Sequence, residues 1–431
     1  MEINNKTNTP MLGYVEVDIT PNRPVQTIGF GREDNLSRGV LHGLSAQISV
    51  WQIHMEKFCL VAIDHLGFSK QHANNLRSDI GKMLSVTKEK VMLDFSHTHS
   101  APNESIEKKY YHFLCNTVKD GVSKAVLNMS PIKAAWGNAY ADIGLNRRKH
   151  CNALDRRIGI LKVTDASSGK LLMLLLRLTA HANVLKADNY LISPDYFAAV
   201  RDLLQDKYGC PVMLTQGASG NVAPKYFQSY LTPPDACDSR FIRSETALND
   251  MAAEVYRRVN TVINTICPHS IKHLDMYSVY LNLHAYVPSY ERALQIAEEA
   301  KKQANIDGKA WLSEVQKLIH DGIREQVDTT EIQYFALDEG CLCGVPNEIM
   351  CEFALKANDF MHSDLFYLGG YTNGCTGYFP TEEEYDKGGY EVYWSMLIYY
   401  IYHGRVFPLN RDSASQLVTT VVENAPQYMK Q

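Results

Sequence analysis

The chain has 431 residues, of which 45% are hydrophobic and 21% charged, with a formal net charge of −5. That length allows a large core or two domains, and the composition is that of a folded globular protein rather than a disordered one. The negative balance and the lack of a long basic run argue against nucleic acid as a partner, and no apolar stretch reaches the roughly 18 residues that suggest a membrane span.

The segment from Met1 to Pro10 is polar and has no apolar signal core, so a cytoplasmic protein is expected, or a secreted one if a signal segment has been removed. The ten cysteines follow no framework spacing and read as free thiols of a reducing compartment. Ala46–Val50 and Phe58–Asp64 are strand-like runs, Ser69 to Leu84 has helical spacing, and Val91–Phe95 reads as a buried strand. A long helix is expected over Glu104–Leu127, with Tyr111, Leu114 and Val118 on one face. Ile158–Val163 and Leu171–Leu178 predict a hairpin across Ser167-Ser168-Gly169.

Tyr196–Lys207 is helical, and Val212–Thr215 is a strand that runs into the Gly-rich turn Gln216 to Asn221. Glu245–Ile263 is an amphipathic helix with Ser244 placed as its N-cap. Tyr290–Gln326 predicts a helical hairpin broken at Asn305–Gly308, an insertion at 289–326 that would cover a site or meet a partner subunit. Strands Ile332–Leu337 and Cys341–Val345 follow, then a helix from about Pro346, a strand at Leu365–Leu368, a loop dense in Gly and Tyr, and a helix over Val392–His403. Strands that alternate with both helices and hairpins predict an α/β protein with a mixed sheet core flanked by helices, forming one catalytic unit.

Four strand ends deposit groups that can bind metal. The run Val91–Phe95 ends in Ser96-His97-Thr98-His99, and two histidines two apart share a face on extended chain. Leu171–Ala180 ends at His181, Cys341–Val345 is followed by Pro346-Asn347-Glu348, and the loop after Leu368 carries Tyr371, Tyr378 and Tyr390. Two histidines and one carboxylate with a position left for water form a common catalytic zinc set, and His97, His181 and Glu348 would supply it. Cys341 and Cys343 offer a metal reading or, more cheaply, alternate positions on a hairpin. The turn at 217–220 resembles an anion cradle, but no Lys follows in the spacing of a phosphate loop. Asp64, at the end of a strand, could orient a ligand histidine or cap the following helix.

Read together, these segments resemble the neutral (alkaline, non-lysosomal) ceramidase family across most of its catalytic domain. The resembling pieces are Val15-Glu16-Val17-Asp18-Ile19-Thr20-Pro21, Ser96-His97-Thr98-His99-Ser100-Ala101-Pro102, Asn146-Arg147, His181, Gly220-Asn221-Val222-Ala223-Pro224, Pro346-Asn347-Glu348, and Tyr378 through Gly389-Tyr390-Glu391, in family order. The resemblance implies a zinc ion held by His97, His181, Glu348 and Tyr378, with His99, Arg147 and Tyr390 lining the scissile amide. It implies hydrolysis of a linear N-acyl bond, and the fold that goes with it.

The sequence departs from the family pattern at Cys375, where the family has Tyr, and at Ala223, where it has Ser; a Ser nucleophile at that position is excluded. The chain also ends at Gln431 without the C-terminal immunoglobulin-like domain of full-length ceramidases. Ceramide, another N-acyl lipid and a smaller N-acylated compound such as an amino sugar derivative are all open as substrates; a small, soluble one is expected to outdo long-chain ceramide, with no membrane span and a homo-oligomer as an open possibility. A zinc esterase or lactonase, or a binding protein that keeps the fold, are the rival readings.

Overall fold

Strands that are apolar on both faces must be covered on both sides, and Ser45–Ile53 shows how this chain does it. Ala46, Ile48 and Val50 face an outer helical layer, whereas Trp51 and Ile53 face an inner core. The computed structural model describes residues 9–225 and 245–430. In it an eight-stranded mixed sheet runs in the order Val212–Gln216, Leu171–Leu178, Arg157–Asp165, Ser130–Tyr140, Met11–Asp18, Ser45–Ile53, Glu56–Ile63, Val91–Phe95. Its outermost pairs at both edges are parallel and the rest are antiparallel. The two halves join only through Met11 opposite Pro131 and Leu12 opposite Ser130, so the sheet can fold on itself there.

A four-stranded sheet, in the order Leu274–Tyr286, Glu325–Leu337, Gly340–Gly344, Phe366–Gly369, closes the inner core. Leu60 and Met92, Leu161 and Met213, and Phe335 and Leu342 bring all three sheet segments into one apolar cluster. Helices cover each outer face. Lys70–Leu84 and Lys108–Leu127 lie over the first half, and Tyr196–Tyr208 and Glu245–Val262 over the second. Cys351–Met361 and Ser413–Glu423 cover the four-stranded sheet.

The expected α/β class and mixed sheet are what the chain adopts, but several boundaries moved. Residues 103–107 turn before the second helix begins at Lys108, with the Ser105 amide donating to Asn103 Oδ1, so Glu104 lies outside the helix. Glu348–Ile349 is a short strand, and the helix expected from Pro346 starts at Cys351. Gln326 belongs to a strand, because a long hairpin pairs Leu274–Tyr286 with Glu325–Leu337 end to end. Ser244 lies outside the described residues. Helices Tyr290–Ala304 and Lys309–His320 connect the hairpin's two long strands. They pack through Ile296 and Trp311 against Val392, Tyr393 and Leu397. Among the described residues, no helix is long and apolar enough to cross a membrane.

Candidate functional site

The chain just past Val91–Phe95 is not extended, so strand alternation does not align the two histidines. His97 sits at φ 58°, the left-handed region, where a non-glycine residue is uncommon and is held by its surroundings. The hold is visible: the His97 amide donates to His65 O and its Nδ1 donates to Leu66 O at 2.6 Å. His99 Nδ1 donates to Gly29 O at 2.9 Å, and His181 Nδ1 donates to Ser219 O at 2.6 Å. A carbonyl can only accept, so each ring carries a proton on Nδ1, which leaves Nε2 for other contacts.

One ring nitrogen from each of His97, His99 and His181 lies within 4.8 Å of the others. Glu348 joins them, its Oε2 lying 3.1 Å from His97 Nε2 and 3.4 Å from His181 Nε2. His181 Nε2, His99 Nε2 and Glu348 Oε2 are buried and have no hydrogen-bond partner among the described residues, a costly state unless something else satisfies them. Burial would raise the Glu348 carboxyl, but the His97 and His181 imidazoles hold it well below the usual range. Burial pushes His99 well below the usual histidine value, helped by His97 and His181. Burial and then Arg147 bring His181 down to about 4.

Backbone ladders place the carboxylate. Glu348–Ile349 pairs in parallel with Tyr378–Phe379, setting Glu348 directly beside Tyr378. The Gly220 amide donates to Ile349 O, and a Cβ on Gly220 would meet Glu348 O at 2.3 Å, so only glycine allows this approach. The Gly-rich turn is therefore no anion cradle. Its Ser219 carbonyl orients His181, and its Gly220 packs on the Glu348 strand.

Tyr378 Oη accepts from Arg147 Nη2 at 3.0 Å, and that guanidinium also donates to Gly220 O and pairs with Glu391. Burial and the Glu348 charge push the Tyr378 hydroxyl well above its ordinary value. Tyr390 opens a wide π-type turn at Tyr390–Trp394, with its ring 5.8 Å from that of Tyr378.

The histidines open onto a cleft of about 660 Å³, counting its mouth. Its wall includes His97, His99, Glu348, Tyr378 and Tyr390, together with Phe68, Glu104, Tyr399 and His403. Arg147 stands behind Tyr378, and His181 is beneath the surface; neither is part of that wall.

Other residues settle elsewhere. Asp64 neither orients a ligand histidine nor caps a helix; it pairs with Arg201 at 2.9 Å and accepts from the Ser45 amide, while the helix cap is Ser69. Cys341 and Cys343 are buried under the helix Cys351–Met361, and burial raises both thiols. The insertion helices do not line the cleft; they brace Val392 and Leu397, on the segment that carries Tyr390, Tyr399 and His403 to its wall.

Sequence reading missed Glu104, Tyr399 and His403 on the cleft, and Glu391 behind it. Glu391 had a usable signal in its place beside Tyr390. The others lie on a loop (Glu104) or on the helix Met396–His403 (Tyr399 and His403), whose direction only the fold decides.

No protein-family model matches the chain, and no curated protein matches it. Solved structures do. The neutral ceramidase from Pseudomonas aeruginosa superimposes with a TM-score of 0.72 at 15% identity, covering 96% of this chain and 74% of that one. A ceramidase complexed with C2 gives a TM-score of 0.72 at 14% identity, with the same coverage. The chain has a neutral-ceramidase-like fold, the one that its sequence segments resemble.

Proposed function

We propose that this protein is a zinc-dependent hydrolase that cleaves a linear N-acyl amide bond. The observation that carries the reading is the placement of His97 Nε2 and His181 Nε2 at 3.1 and 3.4 Å from one oxygen of Glu348. Ligands of a tetrahedral zinc with bonds near 2.0 Å stand roughly 3.3 Å apart. The donor chemistry agrees: two imidazole Nε2 atoms, each ring oriented through Nδ1 by a fixed backbone carbonyl, and one carboxylate. His97, His181 and Glu348 would hold the ion, with Tyr378, fixed beside Glu348, as the fourth protein donor. The chemistry that such an ion supplies when bound is acidification of a water and polarisation of a carbonyl.

The chain's own residues supply the rest. His99 has no contact with Glu348 at ion-pair distance among the described residues, and its Nε2 faces the same centre. In this reading it takes a proton from the attacking water and delivers one to the leaving nitrogen. Tyr390 donates to the oxygen that gains charge as the carbonyl is attacked. Arg147 acts through Tyr378: its donated hydrogen bond fixes the phenol and its charge favours a negative oxygen there. The C–N bond breaks, the water oxygen stays on the acyl carbon, and the amine leaves protonated. The missing Ser at position 223 fits attack by water rather than by a side chain.

The test is metal analysis of the purified protein, followed by a panel of soluble N-acyl and O-acyl compounds. The reading requires about one zinc per chain and turnover of N-acyl members. A metal-free active enzyme, or turnover of esters alone, would overturn it.

A further inference from the structure

Among the described residues, the cleft wall carries no lysine or arginine. Its charged members are Glu348, which faces the histidines, and Glu104. Glu104 is 4% exposed, and among the described residues no lysine or arginine comes within salt-bridge distance of it. His72 Nδ1 lies 3.7 Å from it, and the Glu104 charge also acts on the buried His65. The Ser69 amide donates to Glu104 at 3.2 Å and Ser105 Oγ at 3.4 Å, and all three contacts fall on Oε1. None of these contacts falls on Oε2.

Lys70 and Arg147 are committed elsewhere. Lys70, next to Ser69, pairs with Asp328 and donates to Thr329 O, and Arg147 pairs with Glu391. A carboxylate taken out of water without a cation is costly, and a ligand that brings one recovers that cost. The rest of the cleft suits a cation as well. Phe68, Tyr390, Tyr399 and Tyr402 present aromatic rings, whose faces attract ammonium groups. A ligand carboxylate beside Glu104 would meet like charge, with no lysine or arginine among the described residues of the wall to offset it.

We infer that Glu104 is a specificity-determining residue, and that the substrate is an N-acylated amine bearing a second, cationic nitrogen: an acylated diamine or polyamine. This rests on the amide-hydrolase reading and names its substrate class. Hydrolysis would release a carboxylate and leave a diamine with both nitrogens protonated.

The test uses a matched series with the zinc-loaded protein: N-acetylputrescine as the cation, N-butylacetamide as the neutral form, and N-acetyl-4-aminobutyrate as the anion. The inference requires kcat/KM to fall from cation to neutral to anion. In Glu104→Gln, which keeps the side chain's shape, the ratio of cation to neutral should drop by at least about tenfold, in the range expected when one partner of a buried charge pair is neutralised. Calorimetric binding of N-acetylputrescine to wild type and to Glu104→Gln is read alongside, since binding does not need turnover. Weaker binding in the variant with no hydrolysis of any member would keep the inference and sink the hydrolase reading. Hydrolysis without charge preference, or cation binding that Glu104→Gln leaves unchanged, would overturn the inference. Equal melting temperatures of the two proteins exclude misfolding as the cause.

Discussion

Glu348 and Tyr378 are direct neighbours in a short parallel ladder. That pairing joins the end of one strand to the far side of a Gly-rich loop, thirty positions along the chain. It sets a carboxylate and a phenol side by side under the two imidazoles of His97 and His181. The ladder is backbone chemistry, so the site's geometry is built into the fold rather than into flexible side chains.

Removing the carboxylate's charge tests the donor set. Glu348→Gln keeps volume but gives up the anionic oxygen between His97 and His181. Zinc affinity, measured by competition with a chelator, should fall by more than the roughly 10–100-fold that loss of an outer-shell partner costs. Affinity within about threefold of wild type would remove Glu348 from the ligand set.

His99 is expected to behave differently. His99→Ala should retain zinc and lose roughly 10²–10⁴ in kcat, the usual worth of a positioned acid–base group. Metal content and single-turnover rate, measured on one preparation, separate the two roles. Loss of zinc in this variant would make His99 a ligand.

Gly220 sets a packing limit. A methyl group at that position would lie 2.3 Å from Glu348 O, against backbone that cannot rotate away. Gly220→Ala should lower stability by about 1–3 kcal/mol, as overpacking does, and weaken zinc binding with it, because the same turn holds His181. Calorimetric unfolding and zinc titration of the variant measure both.

Acid stability has a specific source away from the cleft. Asp155 is buried, which pushes its carboxyl up, but Arg177 and Arg157, at 2.7 and 2.9 Å, hold it far below the usual carboxylate range. A depressed folded-state pKa stabilises the protein fully above the unfolded value of about 4, and that contribution fades as pH falls below it. Asp155→Asn should therefore flatten the loss of stability between about pH 4 and 2. It should also cost about 3–5 kcal/mol near neutral pH, since two arginines lose their buried partner. Urea midpoints across that pH range test both parts.

Much of the sheet was legible because its strands are short apolar runs ended by polar turns, as at Val91–Phe95 and Leu171–Leu178. The α/β class and mixed sheet followed from their alternation with helices. What periodicity does not carry is the direction of loops. Glu104 sits in a stretch that reads as helix, yet the turn at Asn103 rotates it onto the cleft wall. Asp64 reads equally as cap or orienting group, and the deciding partner, Arg201, is 137 positions away. The orienting partners of the histidines are backbone carbonyls of Leu66, Gly29 and Ser219, which no residue type announces.

The central claim is amide hydrolysis that depends on bound zinc. The most direct measurement is amine release from a small soluble N-acyl substrate before zinc removal, after it, and after zinc is restored. The account predicts turnover that disappears with the metal and returns with about one equivalent of zinc per chain. Amine release that continues unchanged in the metal-free protein would contradict it.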